Sequence, residues 1–243
     1  MKLKVLLPSL IIFASCMVNV ANAKLIHSYD FSGNTKDSTG SNNGTNYGAV
    51  LTTDRHGNSN SAYNFDGNDS IVANFTSPIT ATFTMWASWG GTNGDMLFNS
   101  GANGTGPDLF FHENIISWNT WDSSNNPFGN ISSSNISDGN FHHYAVVNDA
   151  LNSMTTLYID GTFFGTADYR YQSNGTFTIG AAGSSGSYGW GGTIDEVRIF
   201  DTALDINEVK LSMKSTAVSA PPTLAILSLG LIGLSLRRFK KQA

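Results

Sequence analysis

Gly189 to Leu204, GWGGTIDEVRIFDTAL, limits what this chain can fold into more than any other stretch. Ile194, Val197, Ile199 and Phe200 are β-branched or aromatic and predict a closing strand. The glycines before them allow a tight entry, and Asp201-Thr202 offers a cap for a following helical turn. A strand this late needs a partner that opened early. Leu25 to Phe31, LIHSYDF, is the first run that alternates apolar and polar residues, and it is the predicted partner.

Between the two lies a succession of short alternating runs broken by Gly, Asn, Asp and Ser. Ala62-Tyr-Asn-Phe65 precedes the turn Asp66-Gly67, and Ser70 to Phe75 reads as its return strand. Ala81 to Trp89 has apolar residues at every odd position, so one face lies in a core. Met96–Phe98, Leu109–His112, Ile115–Trp121, Phe141–Val147 and Thr155–Asp160 continue the series, and Asp160-Gly161 predicts a hairpin into Thr162–Gly165. Gly175–Gly180 precedes a Gly/Ser-rich loop, and Asp205–Lys214 has the length of one short helix. About a dozen short strands joined by turns predict an all-β, antiparallel two-sheet sandwich over residues 24–217.

Both ends read as processing signals. Residues 1–23 combine Lys2 and Lys4, an apolar run and Ala21-Asn22-Ala23, the order of a secretory signal peptide. The only cysteine, Cys16, falls inside it, which leaves the exported part no thiol or disulfide. Residues 223–236 are apolar and are followed by Arg237, Arg238, Lys240 and Lys241. At about 1.5 Å per residue this segment is shorter than a bilayer core of roughly 30 Å, which suits a transient inner-membrane insertion. Of thirteen Lys and Arg, two lie in the leader and four in the tail, leaving seven against eighteen Asp and Glu, a net charge of −11. Such an acidic domain disfavours nucleic acid and anionic lipid surfaces as partners, since both need a basic footprint.

Two resemblances rest on these residues. Val218 to Leu227 with Arg237-Arg238 resembles a PEP-CTERM sorting tail, with Ala220-Pro221-Pro222 in place of Pro-Glu-Pro. That likeness implies an exosortase-type processing enzyme as partner, a bacterial source and a final place at the cell surface, in the matrix or in the medium. Tyr29-Asp-Phe31 with Asp37-Ser-Thr-Gly40, Ala62 to Gly67, Phe141-His-His143, Leu157 to Gly161 and Gly192 to Phe200 together resemble the laminin-G-like, concanavalin A-like lectin/glucanase jelly roll. The likeness implies a structural calcium near the first and last strands, for which Asp30, Asp37 and Asp195 are the candidate ligands. The alternative is that Asp37 caps a turn and Asp195 binds nearby backbone.

The residues say less about chemistry. Glucanases of this fold carry E-x-D-x-E on one strand, whereas the chain has only Glu113, Glu196 and Glu208, widely spaced. No catalytic set is therefore assigned, although Glu113 and Asp122 could meet in space. There is no G-x-S-x-G elbow, and His142 and His143, adjacent on a strand, face opposite ways, one packed and hydrogen-bonded and the other exposed. Trp118, Asn119, Trp121 and Asp122 form the strongest candidate for a carbohydrate platform, with Tyr188 and Trp190 a second; in each the other reading is an indole packed in the core. The expected function is that of an exported, non-catalytic glycan-binding or matrix protein. A glycan-cleaving hydrolase and a purely structural surface protein are the alternatives.

Overall fold

The computed structural model describes residues 23–90, 95–101, 107–112, 115–118, 130–132, 138–168, 175–183 and 185–214. Residues 1–22 of the leader and the tail segment therefore lie outside the described residues, as do Glu113, Asn119, Trp121 and Asp122. In chain order the strands are β1 (Leu25–Tyr29), β2 (Thr45–Tyr47), β3 (Val50–Thr52), β4 (Ala62–Asp66), β5 (Ser70–Ala73), β6 (Ala81–Trp89), β7 (Asp95–Asn99) and β8 (Asp108–His112). They continue as β9 (Ile115–Trp118), β10 (Asn130–Ser132), β11 (Phe141–Asp149), β12 (Met154–Ile159), β13 (Thr162–Asp168), β14 (Phe177–Ile179) and β15 (Gly191–Phe200), and α1 (Ile206–Ser212) follows. One sheet has the order β13-β12-β11-β6-β15-β4-β3, with β1 also on β15; the other is β10-β9-β8-β7-β14-β5-β2. Every pairing is antiparallel.

The first strand pairs with the last as expected, Tyr29 opposite Val197. Asp160 and Gly161, at φ of 50° and 67°, turn β12 into β13 as a two-residue hairpin of the kind that matches strand twist. Thr45–Thr52 supplies two short edge strands. Two local expectations change. Asp66-Gly67 does not close a hairpin, because β4 and β5 belong to opposite sheets and the turn carries the chain between layers. The helix is capped by Asp205, which accepts from the backbone N–H of Asn207 and Glu208 while Glu208 reaches back to the cap, and not by Asp201-Thr202.

The core lies between the sheets. Phe75, Phe83, Phe98 and Phe177 pack ring on ring with centroids 5.1–5.7 Å apart. Phe111 meets Trp190 and Tyr144 edge-on at 5.0 and 5.4 Å. A second, smaller cluster sits on the outer face of the β15 sheet, where Ala145, Val147 and Phe200 meet Leu204 and Val209. Each large side chain buried there contributes about 1.5–3 kcal/mol, so α1 is fixed over one half of that outer face. The other half holds the polar residues described next.

Candidate functional site

Along one edge β15 pairs with β6. Along the other it changes partner, from β4 at Gly191–Ile194 to β1 at Val197–Phe200. At the change the register slips: Asp195 stands opposite Trp86 and Arg198 opposite Thr84, so three steps on β15 answer two on β6. Glu196 is at the slip and takes a left-handed φ of 47°, a conformation that costs a non-glycine residue on the order of 1–3 kcal/mol. Strand residues normally alternate between faces. Here Ile194 and Val197 both enter the core, while the adjacent Asp195 and Glu196 both open on the outer face.

Arg55, from the turn before β4, ties the two acids together. Its Nη1 lies 3.2 Å from Asp195 Oδ2 and 2.8 Å from Glu196 Oε2, so the two carboxylates are no farther apart than those two distances joined. The guanidinium also covers the Trp86 ring at 4.5 Å. Arg198 donates from Nη1 to the carbonyl of Ser212 at 3.0 Å, which links the site to the end of α1. Burial, reinforced by the Glu196 and Asp54 carboxylates and only partly offset by Arg55, raises the Asp195 carboxyl to about 7. Its Oδ1 has no hydrogen-bond partner, and its side chain is 2% exposed. Beside it, on β11, burial and the charges of Arg198 and Arg55 lower His143 to about 3, so the ring stays neutral.

Asp195, Glu196 and Arg198 floor an open cleft of about 550 Å³. Ser28, Asp30, Ser32, Ser38 and Thr39 form one wall, from β1 and the loop after it; Asp54, Asn58 and Ser61 form the other, from the turn before β4. The cleft lies where β15 exchanges one partner for the other. Asp54 holds its wall in place, accepting from the backbone N–H of His56 and Asn58 and from the Asn58 amide, each at 2.8 Å.

The predicted site residues fall out differently from expectation. Trp118 and Trp190 are both fully buried, Trp118 donating to the Thr155 carbonyl at 3.4 Å and Trp190 packed against Phe111 and Trp89. Neither offers a face to a sugar, which corrects the platform reading for these two indoles. Tyr188 is 54% exposed and meets Phe110 edge-on at 5.8 Å, so it alone among the described aromatic candidates is displayed. His142 and His143 do face opposite ways, but the hydrogen bonding is reversed. His142 holds Asp160 at 2.7 Å and Asp138 at 3.3 Å, while neither nitrogen of the buried His143 has a hydrogen-bond partner.

The three calcium candidates do not form a common ligand set. Asp37 Oδ1 accepts from Ser28 N, Thr39 N and Thr39 Oγ1, and its Oδ2 accepts from His27 Nδ1 at 2.8 Å. Burial opposes the charge on Asp37, but these bonds outweigh it and hold the carboxyl below the usual range. Asp30 accepts hydroxyls from Ser28 and Ser38, one on each oxygen, and Asp195 Oδ2 is on Arg55. Asp195 Oδ1 has no hydrogen-bond partner. Asp37 is thus a structural cap that ties the Asp37–Thr39 loop to β1.

A laminin G family model, described as the Concanavalin A-like lectin/glucanases superfamily, matches residues 56–210. The chain belongs to that superfamily. Comparison with curated protein sequences gives no match. Among solved structures, domain 4 of AbnA, a GH43 extracellular arabinanase from Geobacillus stearothermophilus in complex with arabinotriose, is similar at 21% identity with a TM-score of 0.59, covering 79% of this chain and all of that one. The binding domain of Paraclostridial Mosquitocidal Protein 1 is similar at 18% identity and TM-score 0.61, covering 78% of this chain and 51% of that one. The botulinum neurotoxin serotype D binding domain, at 15% identity and TM-score 0.58, covers 78% and 51%. The chain spans about half the length of these two toxin domains.

Within the concanavalin A-like superfamily the jelly roll serves binding domains and hydrolases alike, so the site must carry the argument. Asp195 and Glu196 are the feature that spacing rules missed. Adjacent acids on a regular strand would face apart, and nothing local announces the slip that turns both outward. Arg55 lies 140 positions away in sequence, and no sequence signal connects it to them.

Proposed function

We propose that the protein is an exported, non-catalytic binding or matrix protein that holds a glycan in the cleft over Asp195. The observation that carries this reading is the cleft itself: hydroxyl, amide and carboxylate groups converge on one open concavity around a buried carboxyl oxygen left without a partner. Sugar hydroxyls are the natural complement to such a lining, because each can both donate and accept. Domain 4 of the arabinanase, described as a complex with arabinotriose, adds support by analogy of fold alone. In this reading residues 1–23 direct export, and residues 218–243 act as a PEP-CTERM-like sorting tail that enters the inner membrane transiently and is processed by an exosortase-type enzyme. Calcium has no part in it.

A glycan array probed with the purified protein tests the proposal. Retention without turnover, lost in Asp195→Asn and kept in Tyr188→Ala, is the expected result. Retention lost only in Tyr188→Ala would move the site to the Tyr188–Phe110 ledge. A second reading, hydrolysis, is favoured by one observation: two carboxyl groups on one face, both held by the Arg55 guanidinium, with Asp195 able to keep a proton near neutral pH. Release of reducing ends from the retained glycan, abolished in Glu196→Gln, would establish that reading.

A further inference from the structure

The charges around the cleft do not cancel. Asp30, Asp54, Asp195 and Glu196 line it, and the guanidiniums that face them are those of Arg198 and, from the turn before β4, Arg55. Both are already engaged, Arg55 with the two acids and the Trp86 ring and Arg198 with the Ser212 carbonyl and, at 3.5 Å, with Glu196. An anionic sugar entering here would meet four carboxyl groups and no uncommitted cation. At the floor, Asp195 is more than nine-tenths buried, and its Oδ1 has no hydrogen-bond partner. A buried acceptor of this kind is satisfied by a donor that brings positive charge with it, since a charge-assisted hydrogen bond is about twice as strong as a neutral one. One ammonium group needs only a few acceptors, unlike calcium with its six to eight.

Resting on the reading of the cleft as a glycan site, we propose that it selects glycans bearing free amines, unacetylated amino sugars with their ammonium against Asp195, over neutral and anionic ones. Burial first, and then the Glu196 and Asp54 carboxylates, raise the Asp195 carboxyl, and a cation against it offsets both. The part of this attraction that comes from the partly exposed Asp30 and Asp54 carboxylates is weakened by salt, whereas hydroxyl recognition is not.

Titration calorimetry at pH 7 with a glucosamine pentamer, and with the same pentamer fully N-acetylated, tests the proposal. The free-amine form should bind at least about tenfold more tightly, as a charged hydrogen bond to a buried group implies, and the ratio should shrink in 0.5 M salt. Asp195→Asn should reduce it to less than about threefold. Asp30→Asn, a rim substitution that keeps the shape of the side chain, should lower it as well, whatever the folding of the first variant. Equal binding of the two pentamers would overturn the amine preference and leave the glycan reading standing. Failure of the free-amine pentamer to bind, on a protein that retains some other glycan on the array, would also overturn it. So would pentalysine binding as tightly as the glucosamine pentamer, because the ammonium would then be recognised without the sugar.

Discussion

His143 and Asp195 both lie on the outer face of the β15 sheet, each opposite Trp86, and they respond to acid in opposite senses. His143 has a folded value of about 3 against about 6.5 unfolded, so acidification through that window protonates only the unfolded chain and removes stability, at about 1.4 kcal/mol per pH unit. Asp195 has a folded value of about 7 against about 3.9 unfolded, so acidification protonates the folded chain first and adds stability over the overlapping range. The two slopes offset one another between roughly pH 4 and 6.5. Relative to the parent protein, His143→Leu should therefore gain stability as pH falls through this range, and Asp195→Asn should lose it. Urea unfolding at pH 4.5 and 6.5 measures both; parallel pH dependence in the two variants would contradict the assignment. Very little of this was legible beforehand. The rule of opposite faces placed the two histidines correctly, but which of them is deprived of partners depends on neighbours from β6 and β15 that local sequence does not reveal.

At the scale of elements, the slip in β15 decides where the site lies. In an ordinary strand interior, glycine is less stable than alanine by roughly 0.5–1 kcal/mol. At Glu196 the left-handed φ of 47° reverses that order. Both Glu196→Ala and Glu196→Gly lose the Arg55 contact, yet the glycine variant should be the more stable by about 1 kcal/mol in chemical denaturation. The reverse order would mean that the strand runs regularly through this position. Elements whose evidence is local were readable in the sequence, the alternation of β6 and the Asp160-Gly161 hairpin among them, and the pairing of the first strand with the last followed from the need of a late strand for an early partner. Those set by the other sheet were not. Asp66-Gly67 has the composition of a hairpin turn whether its flanking strands share a sheet or, as here, part company. Trp118 and Trp190 carry the same indole whether displayed or packed, and only the assembled sheets decide it, with Phe111 from the opposing layer and Trp89 from β6 against Trp190.

For the whole molecule, the β1–β15 ladder joins the first and last strands, and the Asp37 hydrogen bonds tie the loop after β1 back to it. A thermal melt in EDTA should have the same midpoint as one in millimolar calcium; a midpoint several degrees lower in EDTA would restore a bound cation to the account. The superfamily was recognisable from the order of its strand motifs, whereas the cleft arises from three segments far apart in the chain and came into view only with the sheets assembled. The central claim is that a glycan occupies the place where β15 exchanges β4 for β1. Backbone amide chemical-shift mapping with a glycan retained on the array tests it most directly. The account predicts shifts at Ser38, Asn58, Asp195 and Glu196 with Tyr188 and Phe110 unmoved; shifts confined to Tyr188 and Phe110 would contradict it.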